Sequence, residues 1–191
     1  MSDHEKEWQT RKKRIDARLR SLKPAWKIIR HKDGMDLSRL DMTAVEELPT
    51  ANGPVDYALF VKGRLLGMIE GKRVSIAPQN VLEQTKRYSE GANQGIGNWD
   101  GFKVPFLYSS NGEVFWFLDA RADKRISRQI SNFHTADALE AFFNMDFRAA
   151  SDRLLKDPIS RIARLRDYQK KGIRLVALYL KTLSFDHEYK R

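Results

Sequence analysis

The 191-residue sequence contains no cysteine, which excludes a disulfide framework, a thiolate metal site and a cysteine nucleophile. It has no apolar run near the roughly 18 residues that a membrane-spanning helix requires, and its charged N-terminal stretch is unlike a signal peptide. The four histidines are scattered, without the helical spacing typical of a metal pair. From these absences we expect a cytoplasmic protein with no membrane segment.

The residues that are abundant suggest a different kind of partner. With 41% hydrophobic and 31% charged residues, the chain can bury the core of one domain, with or without an appendage. Its formal net charge of +10 favours a polyanion, with nucleic acid ahead of an acidic protein or a membrane surface. Charge alone does not identify the partner, so a site is needed beside it.

The hydrophobic pattern predicts an α/β chain with a central mixed β-sheet flanked by helices and a helical C-terminal extension. Trp8, Ile15, Leu19 and Leu22 recur at helical spacing, which predicts a first helix over residues 5–22. The basic residues of this helix, including Arg11, either contact phosphate groups or form a solvated face. Further elements are predicted as a strand near 26–29, a loop over 48–56, a hairpin around Asn111-Gly112, and helices near 81–90, 136–143 (extending towards 150) and 159–183.

Two apolar runs between residues 55 and 73, "VDYALFVKGRLLGMIEGKR", contain charges that strand interiors usually exclude. Glu70 and Lys72 project from the same side of their strand, because strand side chains alternate faces. A three-residue loop over 62–64 would set Asp56 opposite Glu70, on that same face. A two-residue turn would instead put the two carboxylates on opposite faces.

In that register two carboxylates lie about 5 Å apart and repel each other unless a cation binds between them. Mg²⁺ takes oxygen ligands and commonly binds through one or two carboxylates and several waters. The Lys72 ammonium is no ligand, but it can orient an attacking water or stabilise charge on a phosphate. The cluster therefore indicates hydrolysis of a phosphodiester by metal-activated water. The alternative is structural: Asp56 caps its strand, and Glu70 pairs with Lys72.

The predicted helix at 81–90 adds polar groups of a suitable kind. Gln84 and Tyr88 are four residues apart and share one helical face, with Arg87 beside them. An amide, a phenol and a guanidinium can hold a DNA phosphate against a metal site. The alternative is an exposed amphipathic helix without a ligand.

Taken together, "VDYALFVKGRLLGMIEGKR" and the "VLEQTKRY" that follows it resemble the nuclease domain of the restriction subunit of type I restriction-modification enzymes. That domain belongs to the PD-(D/E)xK superfamily. The flanking "EWQTR", "RIDARL" and "FHTADALEAFF" also resemble that family. The resemblance implies a restriction-endonuclease-like fold and a Mg²⁺-dependent, sequence-nonspecific DNA endonuclease. It also implies double-stranded DNA and the modification and specificity subunits as partners.

Transferred to this sequence, the resemblance implies that Asp56 and Glu70 bind Mg²⁺, with the backbone carbonyl of Gly71 as a third ligand. Lys72 would be the catalytic lysine. This chain has Gly71-Lys72-Arg73 where the family commonly has Ala-Lys-Lys, and the glycine retains its carbonyl.

The resemblance further implies that Gln84 and Tyr88 position DNA or the active site, and that Glu7 is an outer-shell metal residue. Residues 165–173, "LRDYQKKGI", resemble the entry to the superfamily 2 motor of these subunits, although a plain amphipathic helix with Tyr168 on its packed face is the alternative. A Walker A motif is absent from the sequence, so an ATP-driven motor would lie outside this chain.

The sequence thus predicts a nuclease domain over 1–150 and a helical linker over 151–191. Two rival functions stay open: a non-catalytic DNA-binding or docking module with the same fold, and a stand-alone repair or junction-resolving nuclease.

Overall fold

The computed structural model describes residues 11–72, 82–122, 125–145, 152–153, 155–156 and 164–185. The chain divides into two compact units, Met1–Phe143 and Asn144–Arg191. The first unit contains a seven-stranded sheet, and the second contains a long helix. The predicted assignment of 1–150 to a nuclease and 151–191 to a linker stays a prediction.

The sheet is mixed, and its spatial order is the same as its chain order, β1 to β7. Strands β1 and β2 are parallel, as are β4 and β5, while the other neighbours are antiparallel. The strands are β1 Lys27–Arg30, β2 Thr43–Thr50, β3 Gly53–Val61, β4 Arg64–Gly71, β5 Phe106–Ser110, β6 Phe115–Asp119 and β7 Arg128–Ile130.

Helices cover both faces of the sheet, which explains why its central strands are apolar without alternation. On one face a π-helical turn, Arg11–Ile15, leads into α1, Asp16–Ser21. The helix α3, Ala136–Phe143, covers the same face. The opposite face is covered by α2, Leu82–Glu90, which also connects the parallel strands β4 and β5. The predicted α/β class with a mixed sheet flanked by helices is confirmed.

The predicted loop over 48–56 is wrong. Strand β2 continues to Thr50, and β3 begins at Gly53 after the tight turn of Ala51 and Asn52. Pro49 had favoured a loop because it cannot donate a ladder hydrogen bond. It is tolerated here because β1 pairs only with Thr43–Glu46, so the far half of β2 has an open edge.

The hairpin that joins β3 to β4 reaches the predicted register by an unpredicted route. Its turn has two residues, Lys62 and Gly63, both with positive φ, so the predicted three-residue loop is wrong. A β-bulge then shifts the pairing by one residue, from Phe60 opposite Leu65 to Leu59 opposite Gly67. The bulge supplies the odd residue that the longer loop would have supplied.

Other elements follow the predictions in outline. The predicted strand near 26–29 is β1, the Asn111-Gly112 turn does join β5 to β6, and α3 ends at Phe143 without extending further. The first predicted helix is helical over its described part, while Trp8 and Glu7 lie outside the described residues.

The last helix, α4, spans Asp167–Phe185, and residues 164–166 before it are not helical, so the prediction of one helix from residue 159 is wrong for that stretch. Tyr168 is 66% exposed rather than packed. Within the part of the chain that the structure describes, no helix is long and apolar enough to cross a bilayer.

Candidate active site

The two predicted carboxylates lie at the end of the β3–β4 hairpin that is far from its turn. Tyr57 pairs with Ile69, and the same register extended by one residue sets Asp56 opposite Glu70. Met68 packs in the cluster on the α2 face and Ile69 in the cluster on the α1 face. Because side chains alternate, Glu70 projects towards the α2 face. Alternation does not extend to Asp56, because its neighbours Val55 and Tyr57 pack in different clusters. Its Oδ2 lies 3.3 Å from the position of a Gly71 Cβ, close to Arg11.

The charges of this hairpin are satisfied at short range. Glu70 is only 3% exposed, and its Oε1 lies 2.9 Å from the ammonium nitrogen of Lys72. Asp56 Oδ2 accepts a hydrogen bond of 2.7 Å from the backbone N–H of Gly71. These contacts agree with the structural alternative as well as with a site, so the wider surroundings must distinguish them.

The backbone carbonyl of Gly71 faces the side on which Asp56 lies. The N–H of Lys72 donates to the carbonyl of Ser110 on β5, with a distance of 2.9 Å. A trans peptide unit points its carbonyl opposite to its N–H. The Gly71 carbonyl therefore points away from β5, towards β3, at the strand end where the two carboxylates lie.

Arg11 joins this cluster, although the sequence predicted for it only a phosphate contact or a place on a solvated face. Its guanidinium crosses from the first helical turn, with Nη1 at 2.6 Å from Asp56 Oδ1 and Nη2 at 3.4 Å from Glu47 Oε1. Burial lowers the pKa of Arg11, but Asp56, Tyr57 and Glu47 outweigh it and raise the pKa above its usual value. The guanidinium therefore stays charged beside Asp56. No local sequence signal distinguishes it from the neighbouring basic residues.

Gln84 and Tyr88 of α2 line the same face. The amide nitrogen of Gln84 donates to the Tyr88 hydroxyl at 2.6 Å, and the Tyr88 ring lies against Gly53, where a Cβ would be 3.6 Å from Cε1. Burial raises the pKa of Tyr88; the Gln84 hydrogen bond opposes this, and the charges of Glu70 and Asp56 raise it further. Tyr88 thus lies within the electrostatic field of both carboxylates.

Arg87 belongs to the exposed side of the same helix. Its backbone carbonyl accepts a hydrogen bond of 2.6 Å from the side chain of Asn52, in the turn before β3. That contact ties α2 to the start of the strand that carries Asp56.

A second buried charge anchors α1 to the strand that carries Asp56. Asp16 is 2% exposed, and its Oδ1 accepts a hydrogen bond of 2.6 Å from the hydroxyl of Tyr57. Its Oδ2 lies 3.6 Å from the Lys12 ammonium and 3.5 Å from the Arg20 guanidinium. Burial, followed by this hydrogen bond, raises the pKa of Tyr57, so the phenol stays a donor. No sequence pattern predicted this contact.

The oxygen donors of this cluster are of the kind that a hard divalent cation binds. Among the described residues there is no group of three or more histidine, cysteine, aspartate or glutamate side chains that could hold a metal. Two carboxylates and the Gly71 carbonyl are oxygen donors of the type that Mg²⁺ prefers, and Mg²⁺ commonly retains several waters. Glu7, the predicted outer-shell residue, lies outside the described residues.

The fold and the site together define an α/β domain with Asp56, Glu70 and Lys72 clustered at one end of the central strands of a mixed sheet. Residues 26–143 match the family described as "Type I restriction enzyme EcoKI endonuclease subunit second domain". The chain belongs to that family, which confirms the resemblance to type I restriction subunits.

A curated relative agrees with this assignment. The type I restriction enzyme EcoKI endonuclease subunit of Escherichia coli (strain K12) is 24% identical over 210 residues, covering 85% of this chain. The match covers 18% of the relative, so this chain spans less than a fifth of its length. No solved structure is significantly similar to the chain.

Proposed function

We propose that this chain is a Mg²⁺-dependent, sequence-nonspecific DNA endonuclease domain of a type I restriction subunit, with a PD-(D/E)xK site. The observation that carries the proposal is the position of Asp56 opposite Glu70 at the same end of adjacent strands, with the ammonium of Lys72 at 2.9 Å from Glu70. Membership of the type I endonuclease subunit family supports a nuclease role for these groups.

Burial of Glu70 favours a site over a purely structural pair. A buried carboxylate and ammonium lose hydration that their mutual attraction only partly restores, and apolar residues of similar size are often as stable. Exposed pairs of the same type are common and change the free energy of folding little. Keeping two carboxylates and a lysine at a buried strand end is therefore better explained by a chemical role.

In the proposed reaction, Asp56, Glu70 and the Gly71 carbonyl would hold the cation. The bound Mg²⁺ would supply Lewis acidity to the phosphate and lower the pKa of the attacking water. Lys72, held by Glu70, would orient that water or stabilise the negative charge that develops on the phosphate. Such electrostatic contributions typically change rates by about 10²- to 10³-fold.

The α2 residues would act on DNA rather than on the metal. Tyr88 is fixed by Gln84 at 2.6 Å, so the phenol is preorganised for a phosphate oxygen or for a ligand of the cation. Arg87, on the exposed side of the helix, would add a sequence-independent phosphate contact. The net charge of +10 favours the same polyanionic partner.

The assembly is proposed by extension from the relative, which is an endonuclease subunit of a type I enzyme. In this proposal the modification and specificity subunits provide target recognition. An ATP-driven motor elsewhere in the subunit provides translocation, and residues 151–191 lead towards it. This part of the proposal rests on the family, not on the geometry of the site.

The test is cleavage of supercoiled plasmid with Mg²⁺ or Mn²⁺, comparing the protein with a Lys72→Ala variant. We expect Lys72→Ala to lower the nicking rate by about 10²-fold or more. Lys86→Ala is the matched control, since Lys86 pairs with Glu83 on α2, outside the cluster, and it should cut at the original rate. Two plasmids of unrelated sequence should be cut equally.

Wild-type-like cutting by Lys72→Ala would remove that lysine from the mechanism. The rival docking module predicts a different outcome: DNA binding that survives Lys72→Ala, with no metal-dependent cleavage by either protein. A junction-resolving nuclease would instead prefer branched over linear DNA in the same assay.

A further inference from the structure

Arg11 contacts one of the two carboxylates of the proposed cation site. A guanidinium lies 2.6 Å from Asp56 Oδ1, an atom that the proposed cation site requires. We propose that Arg11 is a built-in counter-ion that occupies Asp56 until a divalent cation displaces it, and that Glu47 then holds the guanidinium. This inference rests on the proposed metal site.

Displacement follows from the geometry around Asp56. Its Oδ2 accepts a hydrogen bond of 2.7 Å from the N–H of Gly71, and its Oδ1 accepts one from the Arg11 guanidinium. A dication at this carboxylate would meet a like charge within a few ångströms in a site that is largely shielded from water. Cation and guanidinium therefore compete for one carboxylate.

Glu47 is already poised as the second acceptor. Its Oε1 lies 3.4 Å from Arg11 Nη2, so the guanidinium spans both carboxylates and needs only a short movement. Pairing of the flanking residues on β2 and β3 sets Glu47 opposite Asp56. Glu47 has a φ of +55°, a conformation that side-chain-bearing residues rarely adopt. Such strain is often retained at functional sites.

Gly71 makes room for this arrangement. A Cβ at that position would lie 2.8 Å from Ile15 Cδ1 and 3.1 Å from Arg11 Cγ. The absence of a side chain therefore lets the Arg11 stem pass close to the end of β4. Gly71 thus has two roles in the proposal: its carbonyl faces the cation site, and its bare Cα admits the counter-ion.

Exchange of this kind would link metal binding to the first helix. Without metal, Arg11 neutralises Asp56 and holds the helical turn on the sheet. With metal, the guanidinium moves to Glu47 while its stem stays beside Gly71. The affinity for the cation is then set partly by the competition with Arg11.

The experiment is calorimetric titration of Mn²⁺ into the whole chain without DNA. Arg11→Met retains the apolar stem and removes the charge, and we expect it to bind Mn²⁺ about tenfold more tightly. Arg39→Met is the matched control, because Arg39 is an exposed arginine that pairs with Asp36 at 3.0 Å and contacts neither Asp56 nor Glu47. It should change the affinity by less than about twofold.

Glu47→Gln provides the reciprocal arm. It removes the second acceptor, so we expect weaker Mn²⁺ binding than in the unaltered protein. In the Arg11→Met background the same change should have no effect, because no guanidinium then needs to be received. A Glu47 effect that persists without Arg11 would contradict the exchange.

Thermal melts distinguish folding from binding. Arg11→Met should melt at a lower temperature than the unaltered protein without metal, and gain more on addition of Mn²⁺. Unchanged or weaker Mn²⁺ binding by Arg11→Met would overturn the counter-ion role. The proposed metal site would still stand in that case if Asp56→Asn abolishes Mn²⁺ binding. If the unaltered protein binds no Mn²⁺ through Asp56, the metal site fails and the counter-ion role fails with it.

Discussion

Replacing Tyr57 with phenylalanine should destabilise the protein although it removes only one oxygen atom. The Tyr57 hydroxyl donates to Asp16 Oδ1 at 2.6 Å, and both side chains are buried. A hydrogen bond to a charged group contributes about 1.5–3 kcal/mol. The contacts of Lys12 and Arg20 with Asp16 Oδ2, at 3.6 and 3.5 Å, remain. We therefore expect a loss of about 2 kcal/mol in the free energy of unfolding.

Urea denaturation monitored by circular dichroism measures this loss directly. For a chain of this size, about 2 kcal/mol corresponds to a fall of about 4–8 °C in melting temperature. Tyr168→Phe is the control, because Tyr168 is 66% exposed and its hydroxyl should contribute little. A Tyr57→Phe loss below about 0.5 kcal/mol would refute the view that this bond anchors α1 over the sheet. An equal loss in both variants would refute it too.

Two further predictions concern turn geometry and pH. Gly63→Ala should be strongly destabilising in the same urea assay, because its Cβ would lie 2.1 Å from the Ser38 carbonyl oxygen. Gly34→Ala is the control, because Gly34 has a similar positive φ but a Cβ there would meet nothing within 4 Å. It should lower the free energy of unfolding by only about 1 kcal/mol. Equal losses would show that φ, not the contact, dominates. Burial and then Arg128 lower the pKa of His134, so its neutral form stabilises the fold above about pH 6.5 and that contribution is lost as the pH falls further. The stability difference between the unaltered protein and His134→Gln should shrink from pH 7 to pH 5, and a constant difference would contradict this assignment.

The parts of the site that sequence could predict are those set by local periodicity. Alternation along one strand suffices to put Glu70 and Lys72 on one side, and helical spacing suffices to align Gln84 with Tyr88. The bulge at the hairpin was hidden because the strands are buried on both faces. Leu66 has apolar neighbours on either side, so no polar alternation reveals an extra residue.

Contacts between distant segments could not be predicted in this way. Arg11 reaches Asp56 across 45 positions, and six basic residues near it in the sequence have the same local character. Pro49 led to the wrong prediction of a loop because its local preference was followed without its tertiary context. Its local preference against a ladder is real, but β1 ends before reaching it, so tertiary context removes the conflict. Tyr168 fits a packed helical face by spacing alone, yet it is exposed.

The bulge in the β3–β4 hairpin makes the pairing of Asp56 with Glu70 insensitive to how the hairpin tip is built. A two-residue turn with one bulged residue, as found, and a three-residue loop without a bulge both set Asp56 against Glu70. Deleting Leu66 would also leave Leu59 opposite Gly67, and hence the acidic pair in phase. Related chains can therefore gain or lose a residue at this tip while Asp56 stays opposite Glu70. The hairpin tip can therefore accommodate a change in length. We expect insertions and deletions in the family to concentrate there rather than beside Glu70.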